Sequence, residues 1–247
     1  MFESIVHFFY LTLYQPLFNV LILFYNWIPG HDFGLAIIFL TLLIRVVLFP
    51  ISVKALNSQK ALQKLQPEIK KIQQENKNDK EKQAKETLEL YKKEKINPFS
   101  GLFLGLIQVP ILIALYRVFW SGLNPGELSS LYSFISNPGQ INTMFLRVID
   151  LAKPSFLFAI LAGVTQYFQT KMLQPQFASG DQGQTKGPDF GKAMQKQMLY
   201  FFPVFTVIIL LNLPSALGLY WTASAIFSII QQYIIFSKKS KPEIITK

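Results

Sequence analysis

Arg45 is the residue in this sequence whose chemistry most needs an explanation, because it lies inside a long apolar segment, residues 33–53. A charged side chain at such depth in a bilayer costs a few kcal/mol, and a guanidinium cannot realistically deprotonate to avoid that cost. The five segments predicted below to cross the membrane contain no Asp or Glu, so an ion pair within the membrane requires a loop that folds inward. Three interpretations remain open: a water-filled cavity, polar side chains on neighbouring helices, or an extended side chain that reaches the membrane surface.

Polar side chains in the apolar segments favour the first two interpretations. Thr41 lies one helical turn before Arg45 on the same face of the helix. Hydroxyl and amide side chains also occur in the other segments, namely Gln108, Gln166, Gln169, Thr222, Ser224 and Ser228. Each of them alone is a common means of helix packing in membranes. Together with an unpaired arginine they predict a hydrophilic, positively charged groove, whose candidate residues are Arg45, Thr41, Gln108, Gln166, Thr222 and Ser228.

A wet, positive groove that opens to the cytoplasm attracts acidic or polar polypeptide segments, and its arginine can pair with a carboxylate in transit. Such a groove lowers the cost of moving peptide groups out of water, because it shortens the dry distance. The short apolar segment 198–212 can also thin the bilayer through hydrophobic mismatch. The expected activity is the movement of polypeptide into the bilayer, with no bond made or broken.

Enzyme chemistry finds little support in the sequence. The chain has two histidines, His7 and His31, and no cysteine, which excludes disulfides, thiolate metal sites and cysteine nucleophiles. It has no His-Glu-x-x-His or Gly-x-Ser-x-Gly motif. We therefore predict no enzyme activity, no metal and no other cofactor. A small-solute transporter or channel, or a lipid scramblase, is the alternative use of a polar groove.

The elements that position the groove are expected to be membrane helices. Apolar residues make up 51% of the chain, and its formal net charge of +10 is concentrated between the apolar blocks. Since a spanning helix needs about 20 apolar residues, we predict an all-α integral membrane protein: a five-span helical core with a cytoplasmic two-helix hairpin and an N-terminal interfacial helix. In chain order the segments are the interfacial helix 1–30, span 33–53, hairpin 54–98, span 99–120, extracytoplasmic loop 121–153, span 154–173, cytoplasmic loop 174–197, spans 198–212 and 214–236, and a basic cytoplasmic tail 237–247.

The N-terminal segment admits two placements. Residues 1–27 are apolar enough to span, but Gln15, Pro16 and Asn19 interrupt them, and tryptophan and tyrosine cluster nearby as they do at headgroup level. We favour an interfacial helix on the extracytoplasmic side, and the spanning alternative leaves the rest of the topology unchanged.

Loop charges set the predicted orientation. Residues 54–98 hold 12 lysines against 7 acidic residues, whereas no Lys or Arg precedes Arg45. The positive-inside rule then places the hairpin and the C-terminal tail in the cytoplasm. Basic residues in such positions suit anionic lipid headgroups rather than nucleic-acid readout. Because no transit peptide is visible, we expect a multi-pass protein of the bacterial plasma (inner) membrane.

Two apolar stripes predict the hairpin. The first recurs at mostly three- and four-residue spacing and consists of Leu56, Leu62, Leu65, Ile69 and Ile72. After a polar break at residues 75–79, the second consists of Ala84, Leu88 and Tyr91. Two antiparallel helices fit both stripes, and a solvated charged helix without a partner is the alternative.

A series of short motifs resembles the YidC/Oxa/Alb family of membrane protein insertases. The first are TLLIR at residues 41–45, Phe49-Pro50, and LQPEI at residues 65–69. They are followed by YKKEKINP at residues 91–98, LIQVPI at residues 106–111 and ALY at residues 114–116. The last are Phe202-Pro203, PSALGLYW at residues 214–221 and IIQQ at residues 229–232. Each motif is weak alone, but their order and spacing across residues 14–239 are specific.

The resemblance implies a five-span core whose groove is closed toward the outside and contacts substrate through Arg45. Positions that face nascent chains in the family fall on Thr41 and Trp221, which adds Trp221 to the candidate groove. The hairpin is implied to receive substrate, and its candidate residues are Leu65, Pro67, Ile69 and Tyr91. The implied partners are newly made membrane protein clients, the lipid bilayer, the ribosome and the Sec translocon, with a monomer as the active form.

Two departures from the family pattern qualify this resemblance. The sequence shows neither the large extracytoplasmic domain of many Gram-negative members nor the lipoprotein cysteine of Gram-positive ones. Its tail holds four lysines, which weakens the expectation of ribosome docking.

Overall fold

The computed structural model describes residues 2–97, 100–120, 125–173 and 197–237. Most of these residues lie in nine α-helices. They are α1 (Phe2–Phe9), α2 (Gln15–Trp27), α3 (Phe33–Val47), α4 (Phe49–Glu75), α5 (Lys80–Lys93), α6 (Ser100–Trp120), α7 (Phe156–Leu173), α8 (Phe202–Leu210) and α9 (Ser215–Ser237). The predicted loop 174–197 and tail 237–247 fall almost entirely outside the described residues, as do residues 98–99 and 121–124.

Five short elements interrupt or join these helices. Turns of π-helix, Tyr10–Tyr14 and Gln197–Phe201, precede α2 and α8. A 3₁₀ helix covers Pro125–Ser130. Strands β1 (Met144–Phe145) and β2 (Ile149–Asp150) pair as an antiparallel ribbon. Strands of two residues are too short for an alternating pattern, so the prediction of an all-α fold did not include the ribbon.

The described helices support a helical membrane protein with two or three candidate spans. Glu3–Trp27 and Ser215–Ser237 are each long and apolar enough to cross a membrane, and α3 with α4 forms a third candidate if the bent pair is one span. Gly105–Trp120 and Gln197–Leu210 are shorter apolar helices. The five-span core and the interfacial placement of residues 1–30 therefore stay predictions, because length and composition do not decide between lying on a membrane and crossing it.

The first predicted span, residues 33–53, contains a sharp bend. Helix α3 ends at Val47, and α4 begins at Phe49 at an angle of 63°. Pro50 occupies the first turn of α4, where a proline has no N–H to donate to the preceding turn and its ring disfavours a continuous helix. The residues after the bend consequently belong to a helix of 27 residues that runs on into the predicted hairpin.

The hydrophobic core joins α2, α3, α6, α7 and α9. Its largest fully buried side chains include Phe18 from α2, Phe33 and Ile37 from α3, Phe119 from α6 and Tyr220 from α9. Helix α9 packs most extensively on α7 and then on α3, and α7 also packs on α8. Helix α9 is thus the central element, which contacts the helices on both sides of it.

The N-terminal helices are fastened to the segment that follows α6. Asn19 of α2, fully buried, accepts a hydrogen bond from the Tyr132 backbone N–H at 2.7 Å and donates to the Ser130 carbonyl at 3.1 Å. The Tyr14 hydroxyl donates to Glu127 at 2.9 Å, and the Asn26 amide donates to the Ser136 carbonyl at 2.7 Å. Each of these polar residues in the N-terminal apolar segment forms a hydrogen bond with a backbone or side-chain group of the segment that follows α6.

The β1–β2 ribbon joins the helix ends at one side of the bundle, which we call the ribbon end. The carbonyls of Leu151 and Lys153 accept from the backbone N–H groups of Ala216 and Ser215 at 3.1 and 2.9 Å, so they cap the start of α9. The Thr143 hydroxyl donates to Asp150 at 2.7 Å, and together with Lys153 it lowers the pKa of the Asp150 carboxyl. Helices α3, α7 and α9 all begin at this end.

Asp32 links the ribbon to α3, and its removal should loosen both. One carboxylate oxygen accepts from the Leu35 N–H at 2.9 Å as the N-cap of α3, and the other accepts from the Leu146 N–H at 2.6 Å. We expect Asp32→Ala to cost about 1–3 kcal/mol of stability, from a lost helix cap and a lost charge-assisted hydrogen bond to the Leu146 amide. Faster hydrogen exchange at Leu35 and Leu146 and a lower melting temperature would show this.

Asp79→Ala provides the matched control. Asp79 caps α5 through the Lys82 N–H at 2.9 Å, without a described second backbone partner, and it lies on an exposed turn. Asp79→Ala should therefore reduce the stability less than Asp32→Ala does. Equal losses of stability in the two variants would contradict the double role of Asp32.

Candidate functional site around Arg45

Arg45 lies in the last turn of α3 and hydrogen bonds across the bundle to α9. Its Nε donates to the Ser224 Oγ at 2.8 Å, and a terminal guanidinium nitrogen contacts the same oxygen. Arg45 itself is half-buried, whereas Ser224 is buried. The fold therefore solvates the arginine in part through a polar side chain of a neighbouring helix, which was one of the three interpretations of the sequence.

The next polar residue on this face of α9 contacts a third helix. Tyr220 precedes Ser224 by one turn of α9, so the two residues lie on the same face of the helix. The Gln108 amide of α6 donates to the Tyr220 hydroxyl at 2.6 Å. Two hydrogen-bonded pairs, Arg45 with Ser224 and Gln108 with Tyr220, thus connect α9 to α3 and to α6. We call these four residues the polar site.

The polar site carries a net positive charge. Within the described residues, Arg45 makes no ion pair with a carboxylate. A guanidinium has five N–H donors, and Ser224 Oγ is its hydrogen-bond acceptor in the described part of the chain. Its other donors have no acceptor among the described residues, and carboxylates match the planar geometry of a guanidinium best.

Three of the predicted groove residues satisfy their hydroxyls within their own helices. Thr41 donates to the Ile37 carbonyl at 2.7 Å, Thr222 to the Gly218 carbonyl at 2.8 Å, and Ser228 to the Ser224 carbonyl at 3.0 Å. All three are buried. Such bonds to the residue four positions earlier are typical of hydroxyls that assist helix packing, so these contacts do not place Thr41, Thr222 or Ser228 in the polar site.

Gln166 and Trp221 show no described hydrogen bond to Arg45. The Gln166 Oε1 is buried and has no hydrogen-bond partner among the described residues. Trp221 is half-buried and packs against the hydrophobic core. Two of the seven predicted groove residues, Arg45 and Gln108, therefore belong to the polar site. Each of them contacts a residue of α9 outside the predicted set, Ser224 and Tyr220 respectively.

The residues that complete the polar site, Tyr220 and Ser224, belong to a polar stripe along α9. Tyr220, Ser224, Ser228 and Gln231 follow one another at intervals of four, four and three residues, which is the spacing of a single helix face. At the far end of this stripe, the Gln231 amide donates to the Ser52 hydroxyl of α4 at 2.7 Å, and both are buried. Ser224 was already among the polar side chains noted in the sequence, and a search for polar periodicity within α9 would have added Tyr220.

Helix α4 caps the opposite end of the bundle, which we call the hairpin end. Lys60 Nζ donates to the carbonyls of Ile235 and Phe236 at 3.0 and 3.4 Å, at the end of α9. Gln59 and Gln63 donate to the Leu173 carbonyl at 3.4 and 2.8 Å, at the end of α7. Because the last carbonyls of a helix lack partners within it, these side chains satisfy them and hold α4 across both helix ends.

The candidate hairpin residues differ in burial. Leu65 and Ile69 of α4 are buried, and Pro67 between them is exposed. On α5, which contacts α4, Tyr91 is half-buried, and burial raises the pKa of its hydroxyl.

The second predicted stripe differs from the structure in its rotation about the helix axis. Leu88 is 56% exposed and Ala84 is exposed as well, whereas Thr87 and Leu90 are half-buried. Three apolar residues in a short, highly charged helix are too few to define its buried face.

Comparisons with known proteins identify similar sequences over most of the chain. A family model described as "60Kd inner membrane protein" matches residues 23–242. The membrane protein insertase YidC of Fusobacterium nucleatum is 34% identical over 207 residues, which cover 84% of this chain and 87% of that protein. YidC of Clostridium tetani is 35% identical over 211 residues, with 85% and 84% covered. YidC of Nitratidesulfovibrio vulgaris is 32% identical over 224 residues, which cover 91% of this chain and 38% of that longer protein.

Proposed function

Since this chain belongs to the 60Kd inner membrane protein family and is a membrane protein insertase, we propose that its polar site is the place where a client's polar segment is held during insertion. The family is not enzymatic, so the insertase makes and breaks no bond. It acts on the activation barrier to transfer, and the relevant question is how these residues lower the cost of moving polar groups across the bilayer. Family membership favours this function over the transporter, channel and scramblase alternatives.

The observation that carries the proposal is the guanidinium of Arg45, half-buried and held by Ser224 without a described carboxylate partner. A buried polar or charged group is costly unless it is hydrogen-bonded. A carboxylate of the client that reaches Arg45 exchanges part of its hydration for charge-assisted hydrogen bonds, and the arginine gains the partner that it lacks. The pairing is transient, because both groups regain water when the client moves on.

The position of Arg45 along α3 determines how much of the bilayer stays dry. Phe33 and Arg45 are twelve residues apart, which corresponds to roughly 18 Å along a helix axis. A client segment held at Arg45 therefore has about that distance left to the ribbon end, compared with roughly 30 Å for a full hydrocarbon core. Each peptide group spends less of its path without hydrogen-bond partners, which lowers the barrier to crossing.

We further propose that the hairpin end faces the cytoplasm and that the protein is a multi-pass protein with its C-terminus inside. The support is the lysine-rich segment 54–98, against the nearly lysine-free ribbon end. The groove then opens beside α4, whose Lys60, Gln59 and Gln63 hold the ends of α7 and α9. We also propose that the active form is a monomer.

A charge test on the client examines this proposal. We expect purified protein in liposomes to insert a single-span client with an acidic N-terminal tail roughly tenfold faster than the same client with lysines in place of the acids, since 1.4 kcal/mol of differential interaction gives a factor of ten. Protease protection of the tail measures insertion, and liposomes without protein give the spontaneous rate. Equal rates for both tails, at the same protein-dependent level, would argue against a positive receiving site.

A further inference from the structure

We infer that the tip of the β1–β2 ribbon, residues 146–148, is a membrane-surface contact that binds phospholipid headgroups at the ribbon end. The three tip residues are Leu146, Arg147 and Val148. The inference rests on membership in a membrane-embedded family, but it does not depend on the role of Arg45. The observations that support it are the fixed position of the tip, its backbone conformation and its exposed side chains.

The tip is held rigidly at the ends of three helices. The Leu146 N–H donates to Asp32 at 2.6 Å, at the start of α3. The ring of Phe145 lies directly over Gly34, where a Cβ atom would overlap the ring, and it also packs on Phe158 of α7. The carbonyl of Leu151, just after β2, caps α9. If α3, α7 and α9 begin at a membrane surface, the tip is fixed at the level of that surface.

The backbone of the tip is unusual for the residues that form it. Leu146 and Arg147 have φ values of +49° and +60°, and the Val148 N–H donates to the Phe145 carbonyl at 3.0 Å. Two consecutive left-handed residues closed by this hydrogen bond form the type I′ turn, which normally takes Asn and Gly. A leucine and an arginine in this conformation are strained, and strain of this kind is found where a site requires particular side chains.

The side chains of the tip point away from the protein. Leu146 is 59% and Val148 is 76% exposed, and Arg147 is exposed between them. In the described residues Arg147 makes no ion pair or hydrogen bond, while the nearby carboxylates of Asp32 and Asp150 have partners of their own. The tip thus presents two aliphatic groups beside an unneutralised guanidinium.

A phospholipid surface matches this combination of groups. Aliphatic side chains gain by entering the boundary between headgroups and acyl chains, and a guanidinium binds a phosphate with two parallel hydrogen bonds. In water, the exposed Leu and Val side chains of the turn contribute no stabilisation, because their apolar surface stays hydrated. The tip would therefore tether the ribbon end to the membrane and, through Asp32 and Leu151, fix the starts of α3 and α9 relative to the headgroups.

Site-directed labelling can test this inference directly, because the chain contains no cysteine. Leu146→Cys and Val148→Cys would be labelled with a small fluorophore in phospholipid nanodiscs, and Ser129→Cys, an exposed position in the 3₁₀ helix, serves as the control. We expect lipids with a nitroxide near the headgroup to quench the tip labels at least twofold more than the Ser129 label, and aqueous iodide to quench them at least twofold less. Iodide quenching equal to that at Ser129 would overturn the inference, and so would protection from both quenchers, which indicates a protein partner.

The arginine is tested separately. In the Val148→Cys background, Arg147→Gln should increase iodide access to the label, whereas Arg147→Lys should change it less. If iodide quenching of the label is the same in Arg147→Gln as in the parent protein, the proposed contact with phosphate is overturned. Client insertion measured on the same samples distinguishes the two proposals. If lipids quench the tip labels but acidic and basic tails insert at equal rates, the receiving site at Arg45 is contradicted and the membrane contact is not. If iodide quenches the tip labels but the acidic tail inserts faster, only the membrane contact is contradicted.

Discussion

Replacement of Arg45 with alanine is expected to slow the insertion of an acidic-tailed client by about ten- to a hundredfold, since a hydrogen bond to a charged group contributes about 1.5–3 kcal/mol. The variant removes the guanidinium that Ser224 orients and leaves Tyr220 and Gln108 in place. The initial rate of tail protection in proteoliposomes measures the effect. A client whose tail acids are replaced by their amides is the control, and its insertion should change little between wild type and variant.

Two further measurements show whether the effect of Arg45→Ala comes from the lost charge or from unfolding. They are the insertion rate of Arg45→Lys and the melting temperature of each variant. Lysine keeps the positive charge but cannot form the planar, two-pronged contact of arginine, so we expect intermediate activity. Removal of a half-buried charge that has no described carboxylate partner should not destabilise the protein, and the melting temperature of Arg45→Ala should equal or exceed that of wild type. Equal insertion by all three proteins would make the charge incidental and leave the hairpin and local membrane thinning to explain the activity.

The identity of the residue that must be solvated could be predicted from the sequence, but its partner could not. Arg45 stands out because no acid occurs in the predicted spans, and the cost of an unpaired charge requires polar neighbours. Ser224 is 179 positions away, and the contact depends on how α3 and α9 are rotated against each other. That rotation is decided by close packing between helices. The polar stripe of α9 marks one face of that helix, but it does not indicate which residue of α3 this face meets.

The helical blocks were predictable from apolar content, and their ends were less so. The segment 33–53 reads as one apolar block, yet the chain bends by 63° between α3 and α4. Pro50 signals a kink, but neither its size nor the continuation of α4 to Glu75 follows from composition. The β1–β2 ribbon escaped prediction for a related reason, because it is fixed by contacts of Asp32 and Gly34 rather than by its own sequence.

Gly218→Val is expected to be among the most destabilising single substitutions in the bundle. A Cβ atom at Gly218 would lie 2.9 Å from the Phe158 Cβ and 3.3 Å from the Phe158 carbonyl carbon and oxygen. Because two of these atoms belong to the α7 backbone, a rotamer change cannot relieve the contact, and α7 and α9 must move apart. Overpacking of this kind typically costs about 1–3 kcal/mol, and small residues at such positions allow close helix contact in membranes. Thermal unfolding in detergent micelles and in nanodiscs measures the loss.

Gly105→Val on α6 is the matched control, because a Cβ atom there meets nothing within 4 Å. It introduces the same β-branched side chain into a helix without a packing conflict, so the difference between the two variants isolates the contact of α7 with α9. Since Tyr220 and Ser224 follow Gly218 on α9, separation of the helices should also shift the acceptor of Arg45 and slow the insertion of an acidic-tailed client. Similar melting temperatures and insertion rates for the two variants would show that the α7–α9 contact tolerates a side chain. The geometry of the polar site would then not depend on the α7–α9 contact.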